Sequence, residues 1–317
     1  MLTFVRELGT RSAEFSIEPF APTQADSIKR ILIEYIGDIS QAQLKPQANK
    51  EQIKQALAKA VPAIKQLGEQ LKQLLDKHYS AIMLSRFWID QYDTDTQVAL
   101  LYAQSLFIGT PTPTDKIDKK VVWDIRTLIP QAKYNHQPTF SEHSHEAKLH
   151  TDTQYYDQPE RFMMLYSNRP ANCGGGWSTF RDVQCIEKAL NKTAKGQQAL
   201  TVLSQTPMPF RVPMSFTKDG KEGTKEFTYA PVFADKPKIR YRQDTLTQGL
   251  KHHPQIHTAT VTQALQTINQ ELEKQHELVK VLLDKDTLLL LNNHECLHGR
   301  TEFSDQERHI FRIRMSE

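Results

Sequence analysis

The sequence predicts a mainly β protein, a sandwich or barrel with flanking helices, preceded by a helical N-terminal region. Two textures in the 317-residue chain carry that expectation. Up to about residue 80 apolar side chains recur at helical spacing; beyond it the chain breaks into short extended runs separated by turn residues. The runs lack the regular strand and helix alternation of a parallel α/β sheet, which favours antiparallel sheets stacked or closed on themselves. The expected division is residues 1–80, helical and packed on the core, and 81–317, the β core, within a single domain overall.

The elements follow in order. Thr23 with Asp26 resembles a capping box; Ile28, Ile31, Leu32, Tyr35 and Ile36 then form a 3.6-period stripe, and Gly37 supplies a stop. From about Lys50 to His78, Ile53, Leu57, Val61, Ile64, Leu67, Leu71 and Leu74 line one face, with Pro62 as a break and a solvated Lys/Gln-rich face opposite. The strand candidates are SAIMLSRFW, KVVWDIRTL, RFMMLYSN, MPFRVPM, FTYAPVF, KIRYR, ELVKVLL, TLLLLNN and HIFRIRM. Two helical stretches interrupt them: TQVALLYAQSLF, and Thr260 to Lys274 with Val261, Leu265, Ile268 and Leu272 in register. The polar segment SFTKDGKEGTKEF reads as a hairpin tip or a lid over Lys218 to Lys225.

Composition narrows the function classes. Forty basic against thirty-seven acidic side chains leave +3, with no dense basic stripe bearing interleaved aromatics. A small-molecule substrate is expected rather than nucleic acid. Cys173, Cys185 and Cys296 show neither paired nor CxxC spacing, so no disulfide framework or thiolate zinc site is expected. Arg6 and Glu7 interrupt the N-terminus where a signal peptide would be apolar, and no run has membrane-spanning length. The expected setting is the cytoplasm, away from membranes; the sequence does not speak to oligomeric state.

Two metal readings compete. His294-Glu295-Cys296-Leu297-His298 is a literal H-E-x-x-H, the pattern of zinc hydrolases in which two histidines one helical turn apart bind zinc and the glutamate is the base. Gly299 follows at once, however, and Ser304 stands where the extended motif would carry its third histidine. Upstream, His150-Thr151-Asp152 is an H-x-D pair. In an extended segment residues i and i+2 point to the same side, so this imidazole and carboxylate can face one metal. His298 as a third ligand completes a 2-His-1-carboxylate triad, which suits non-haem Fe(II) and leaves positions open. His143 and His145 lie nearby, but only His150 has a carboxylate two residues on.

The last strand candidate adds a second signal. Arg308, Arg312 and Arg314 share one side, and Phe311, Ile313 and Met315 share the other. Arginines beside an apolar opposite face want an anion, and a guanidinium grips a carboxylate at two points while keeping its charge. The alternative is an exposed basic edge strand that discourages aggregation.

Taken in order, His150-x-Asp152, Leu297-His298-Gly299-Arg300 and Arg308-x-x-x-Arg312 resemble the taurine dioxygenase and clavaminate synthase-like family of Fe(II)/2-oxoglutarate oxygenases. Val122 to Arg126, the run LLLLNN, and Gly175-Gly176-Trp177-Ser178-Thr179 add to the likeness, which covers roughly residues 80 to 317. The run HTDTQYYDQPERFMMLYSNRP is similar to the amino-acid hydroxylase and glutarate hydroxylase branches. The resemblance implies a double-stranded β-helix (jelly roll), with His150, Asp152 and His298 binding Fe(II). It implies 2-oxoglutarate and O2 as co-substrates, with Arg308 gripping the distal carboxylate helped by Ser178 or Thr179, and Arg312 nearby. The loop before Arg308 is shorter than in clavaminate synthase-like members, which leaves the choice of main clamp open between the two arginines. The implied reaction is hydroxylation, or desaturation, of a small carboxylate or amino acid, free or carrier-bound, with release of succinate and CO2. Tyr155, Tyr156 and Arg169 are candidates for substrate contact by proximity. A zinc hydrolase and a non-catalytic ligand-binding barrel are the alternatives; a complete triad argues against the latter, because no structural need brings a buried carboxylate and two imidazoles together.

Overall fold

A computed structural model describes residues 2–41, 43–113, 119–127, 143–213 and 226–317. The Lys218 to Lys225 lid segment lies outside the described residues. The chain opens with strands β1 (Thr3–Gly9) and β2 (Ser12–Ser16), followed by helices α1 (Pro22–Ile36), α2 (Lys50–Ala60) and α3 (Pro62–Lys77). Next come β3 (Ala81–Leu84), α4 (Thr94–Ser105), β4 (Thr110–Pro111), β5 (Val122–Ile125), β6 (Ala147–His150), β7 (Phe162–Arg169) and β8 (Ser178–Asp182). Helices α5 (Val183–Leu190) and α6 (Ala194–Gln205), the hairpin β9 (Met208–Arg211) and β10 (Phe227–Ala230), and helices α7 (Gln243–Lys251) and α8 (Ala259–Leu272) follow. The chain closes with β11 (Val279–Val281), β12 (Leu288–Asn292), β13 (Cys296–Arg300) and β14 (His309–Ser316).

Two sheets hold the molecule together. The larger runs β1-β2-β3-β12-β7-β14-β4, with β5 also on β14; the smaller runs β11-β8-β13-β6. The leucine run shows why both faces of the larger sheet are buried. Leu288 and Leu290 enter the core shared with α1 to α4, whereas Leu289 and Leu291 enter the core that also holds Phe180 and Cys296 of the smaller sheet. This period-2 division of an unbroken apolar run is what a central strand requires. Behind the smaller sheet, Leu297, Val183 and Ile186 join residues of α6 to α8 in a third cluster. The layers are therefore helices, sheet, sheet, helices, the jelly-roll arrangement that the resemblance implied.

Several local expectations need correction. Residues 3–16, read as part of a helical stretch, form a hairpin whose turn puts Arg11 at φ 50°, and β2 joins β3 in parallel. Ala13 and Phe15 are buried while β1, at the sheet edge, exposes Phe4 and Val5. The helix α1 starts earlier than Thr23: Pro22 opens it, and Gln24 Oε1 accepts from the Ala21 N–H. Gly37 does end it, at φ 89° with its N–H on the Ile33 carbonyl. Residues 238–242 are no strand; only Ile239 bridges to Phe233, and the segment acts as a strap. Helices α5 to α7 had no sequence reading at all. Among the described residues no helix is long and apolar enough to cross a membrane.

Candidate metal centre

The site lies between the sheets, and strand alternation puts it there. On β14, Phe311, Ile313 and Met315 pack toward α1 to α4, which turns Arg312 and Arg314 toward the smaller sheet. On β13, Leu297 faces the outer helices and Cys296 the intersheet core, so His298 and Arg300 face inward as well. His150 ends β6 and pairs directly with His298 across the ladder. Close approach at this point depends on Gly299: a Cβ there would stand 2.5 Å from the Ala147 carbonyl oxygen and 2.9 Å from Thr179 Oγ1.

Asp152 follows in a turn that Thr153 completes at φ 49°. Its Oδ1 lies 3.6 Å from His150 Nε2 and 3.8 Å from His298 Nε2, and the three candidate ligand atoms fall within 4.8 Å of one another. All three residues are buried. His150 Nδ1 lies 2.7 Å from the Lys148 carbonyl, which makes Nδ1 the donor and turns a lone pair on Nε2 toward the cluster. Burial pushes the His298 imidazole down to about 3, helped by neighbouring His150 and opposed by Asp152, so the ring is neutral and able to ligate at neutral pH. Burial alone would raise the Asp152 carboxyl, but the Arg312 guanidinium beside it holds it well below the usual carboxylate range. Two imidazoles and one ionised carboxylate on a buried face are the donor set of a non-haem Fe(II) site, and the residues fit such an ion.

The arginines divide their partners. Arg312 Nη1 bonds the second Asp152 oxygen, Oδ2, at 3.2 Å. Arg308 is 5% exposed and lies over the Phe303 ring; its Nη1 has no hydrogen-bond partner among the described residues. Burial and the nearby Arg300 charge lower its guanidinium to about 9, still protonated at neutral pH. A buried cationic donor with an open hydrogen-bonding position is a receptor for an anion. Gly176, at φ 73°, lets the β7–β8 loop close over it: a Cβ there would lie 3.4 Å from Arg308 Cδ and Nε. Register separates the two hydroxyl candidates. Ser178 pairs with Arg300 and so shares the inner side with His298, whereas Thr179 pairs with Gly299 on the other side.

Other expected residues fall where the fold puts them. Arg169 is half-exposed in an ion pair with Glu307, so the structure does not bring it to the triad. Tyr155 is buried in the outer cluster, its hydroxyl pushed up by burial, and Tyr156 packs beside it. His143 and His145 present their carbonyls to Arg300 Nη2, at 2.8 and 2.7 Å, rather than rings to the triad. His294 and Glu295 are not on a helix: they lie in the turn before β13, His294 Nε2 bonding the Pro159 carbonyl and Glu295 pairing with Arg11 and Lys238. That geometry overturns the zinc-hydrolase alternative, since the H-E-x-x-H pair needs helical spacing to converge.

Sequence reasoning missed the supporting residues. Arg240 donates to the carbonyls of Gln154, Tyr156 and Asp157 and so shapes the loop after Asp152. Glu160 accepts from Thr112 and Thr153 and, against the effect of burial, holds Arg314 protonated. Their signal was weak: Arg240 stands among other cations in KPKIRYR, and Glu160 between Pro159 and Arg161 in a polar stretch.

Comparison with known proteins agrees with this geometry. Residues 40–314 match the family described as Taurine catabolism dioxygenase TauD, TfdA family. An asparagine oxygenase solved with Fe(II), 2S,3S-3-hydroxyasparagine and succinate superposes with a TM-score of 0.66 at 16% identity, covering 96% of this chain and 93% of that one. The non-heme iron oxygenase OrfP, solved with Fe, succinate and (3S)-hydroxy-L-Arg, gives 0.63 at 14% identity, covering 97% and 94%. OrfP with Fe and alpha-ketoglutaric acid gives 0.61 at 14%, covering 96% and 94%. These likenesses establish the fold. No curated protein matches the sequence.

Proposed function

Because the chain belongs to the taurine catabolism dioxygenase TauD, TfdA family, we propose that it is an Fe(II)/2-oxoglutarate-dependent dioxygenase hydroxylating an unactivated C–H of a small carboxylate or amino acid. The products would be the alcohol, succinate and CO2. The observation that carries this reading is the convergence of His150, Asp152 and His298, buried and within 4.8 Å, beside an arginine-bearing inner face. The 3-hydroxyasparagine and (3S)-hydroxy-L-Arg bound in the two solved relatives support an amino acid as the leading class.

His150, Asp152 and His298 would hold the iron. Bound there, ferrous iron supplies O2 activation coupled to decarboxylation of 2-oxoglutarate. Arg308 would take the distal carboxylate of 2-oxoglutarate, with help from Ser178, whose register on the inner side supports it over Thr179. Arg312, already on Asp152, borders the space where a carboxylate-bearing substrate would lie. The buried setting excludes water from the reacting groups, and a carboxylate at Asp152 leaves no ligand position for a halide, which favours hydroxylation. Three free cysteines fit a reducing compartment such as the cytoplasm.

The test is to add Fe(II) and 2-oxoglutarate to anaerobic metal-free protein and record the weak visible charge-transfer band. The band is expected in wild type and Glu295→Ala and lost in Asp152→Ala; succinate release then ranks amino acids and small carboxylates. A folded protein with no band, holding zinc through His294 and His298 instead, would refute the reading.

A further inference from the structure

We infer that Asn293 is a positioning residue for the metal centre: it holds the Asp152 peptide at a fixed place relative to the strand that carries His298. The inference rests on the triad being the metal site and gives a role to Asn293, the last residue of the LLLLNN run.

Asn293 stands in the turn between β12 and β13, five residues before His298, and is 2% exposed. Its Oδ1 accepts the Asp152 N–H at 2.8 Å. Its Nδ2 donates to the Asp152 carbonyl at 3.2 Å and to the Glu160 carbonyl at 2.8 Å. Its own N–H donates to the Arg161 carbonyl at 2.7 Å. One amide side chain thus brackets the Asp152 residue on both sides of its Cα, and the backbone bond ties the same turn to the start of β7.

Three other constraints leave Asp152 little freedom. Arg312 takes Oδ2, which leaves Oδ1 to face both imidazoles. The Thr151 N–H donates to the Tyr241 carbonyl at 2.8 Å, and Thr153 takes a left-handed conformation. The β6–β13 ladder pairs His150 with His298 but ends before Asp152; of these constraints it is Asn293 that ties the Asp152 turn to the segment carrying His298. The three ligands come from two stretches of chain far apart in sequence, and relative displacement of those stretches is what would spoil convergence. Buried backbone groups released from Asn293 would have to find new partners, and the turn would shift to supply them.

The neighbouring Asn292 provides the control. It is equally buried, at the end of β12 just before the turn, and its side chain bonds the Leu75 carbonyl and the His294 N–H without touching the Asp152 loop. Calorimetric titration with Co(II) alone, on metal-free wild type, Asn293→Ala, Asn292→Ala and His298→Ala, separates positioning from general loosening. Outer partners of metal ligands are worth about 10–100-fold in metal affinity. Asn293→Ala is expected to lose about that much and to alter the visible spectrum of bound Co(II), with Asn292→Ala within about threefold of wild type at a similar loss of thermal stability. If Asn293→Ala does not fold, Asn293→Asp, which keeps the acceptor and removes both donors, is titrated with the same expected direction. Wild-type affinity in the Asn293 variant, or an equal loss in Asn292→Ala, overturns the inference. No Co(II) binding by wild type fails the metal-site reading instead.

Discussion

His294 and His298 stand four residues apart on one stretch of chain, and the fold gives them opposite work. His298 lies on β13, an extended strand whose inner face meets β6, and its neutral ring faces His150 and Asp152. His294 lies in the turn before that strand, its ring turned away to the Pro159 carbonyl. On a helix four residues make one turn and bring both rings to one side; across a turn into a strand they diverge. Spacing therefore names a ligand pair only once the backbone between the two is known. Glu295 teaches the same lesson, because its carboxylate is spent on Arg11 and Lys238.

The sharpest way to break this comparison is to remove each histidine. His298→Ala is expected to abolish iron binding and succinate formation. His294→Ala should leave both intact and cost about 1 kcal/mol of stability, the worth of one partly buried hydrogen bond. Equal loss of metal in the two variants would return the zinc pattern to the front. Next in size is the arginine pair. Truncating a buried charged group that grips an anion typically costs about 2–5 kcal/mol, so Arg308→Leu should weaken 2-oxoglutarate by on the order of 30- to 4000-fold. Arg169→Ala, at the surface on Glu307, should stay within about twofold. The apparent KM for 2-oxoglutarate decides it, and an unchanged KM in Arg308→Leu would move the clamp to Arg312. Smaller still is Glu295→Ala, expected to lose about 1–3 kcal/mol in denaturant unfolding while retaining turnover, because Arg11 keeps its second partner, Asp182, at 3.3 Å.

Much of the site was legible before the fold was known, for physical reasons that can be named. The H-x-D spacing keeps its two ligands close, although a turn after β6 rather than strand alternation brings Asp152 round to His150, and the alternation of Arg308, Arg312 and Arg314 with Phe311, Ile313 and Met315 states which face is inward. The helices α2 and α3, broken at Val61 and Pro62, were equally plain from their apolar stripes. What stayed hidden depends on contacts between distant segments. The β1–β2 hairpin carries charges along an exposed edge, so its sequence lacks a clean period. Arg240 and Asn293 act through backbone carbonyls of another loop, for which one sequence offers no pattern. Thr179 was indistinguishable from Ser178 until the pairing with β13 gave the register.

The smallest expected effect tests the electrostatic side of the same histidine comparison. Unfolded histidine titrates near 6.5, whereas burial depresses His298 to about 3 and lowers His294 as well. Between those two values the unfolded chain binds a proton at His298 that the folded chain does not. By linkage the stability due to neutral burial is present above about pH 6.5 and is lost as pH falls toward about 3. Asp152, held below its usual range, acts in the same sense at the acid end: its contribution is present above its ordinary pKa and lost as pH drops through its folded value. Metal-free wild type should therefore lose unfolding midpoint steadily from pH 7 to pH 4. His298→Gln should flatten that slope more than His294→Gln, since its imidazole is the more strongly depressed. Equal slopes in the two variants would mean that the ring on β13 is no drier than the ring in the turn, and the distinction between ligand and bystander would then rest on geometry alone.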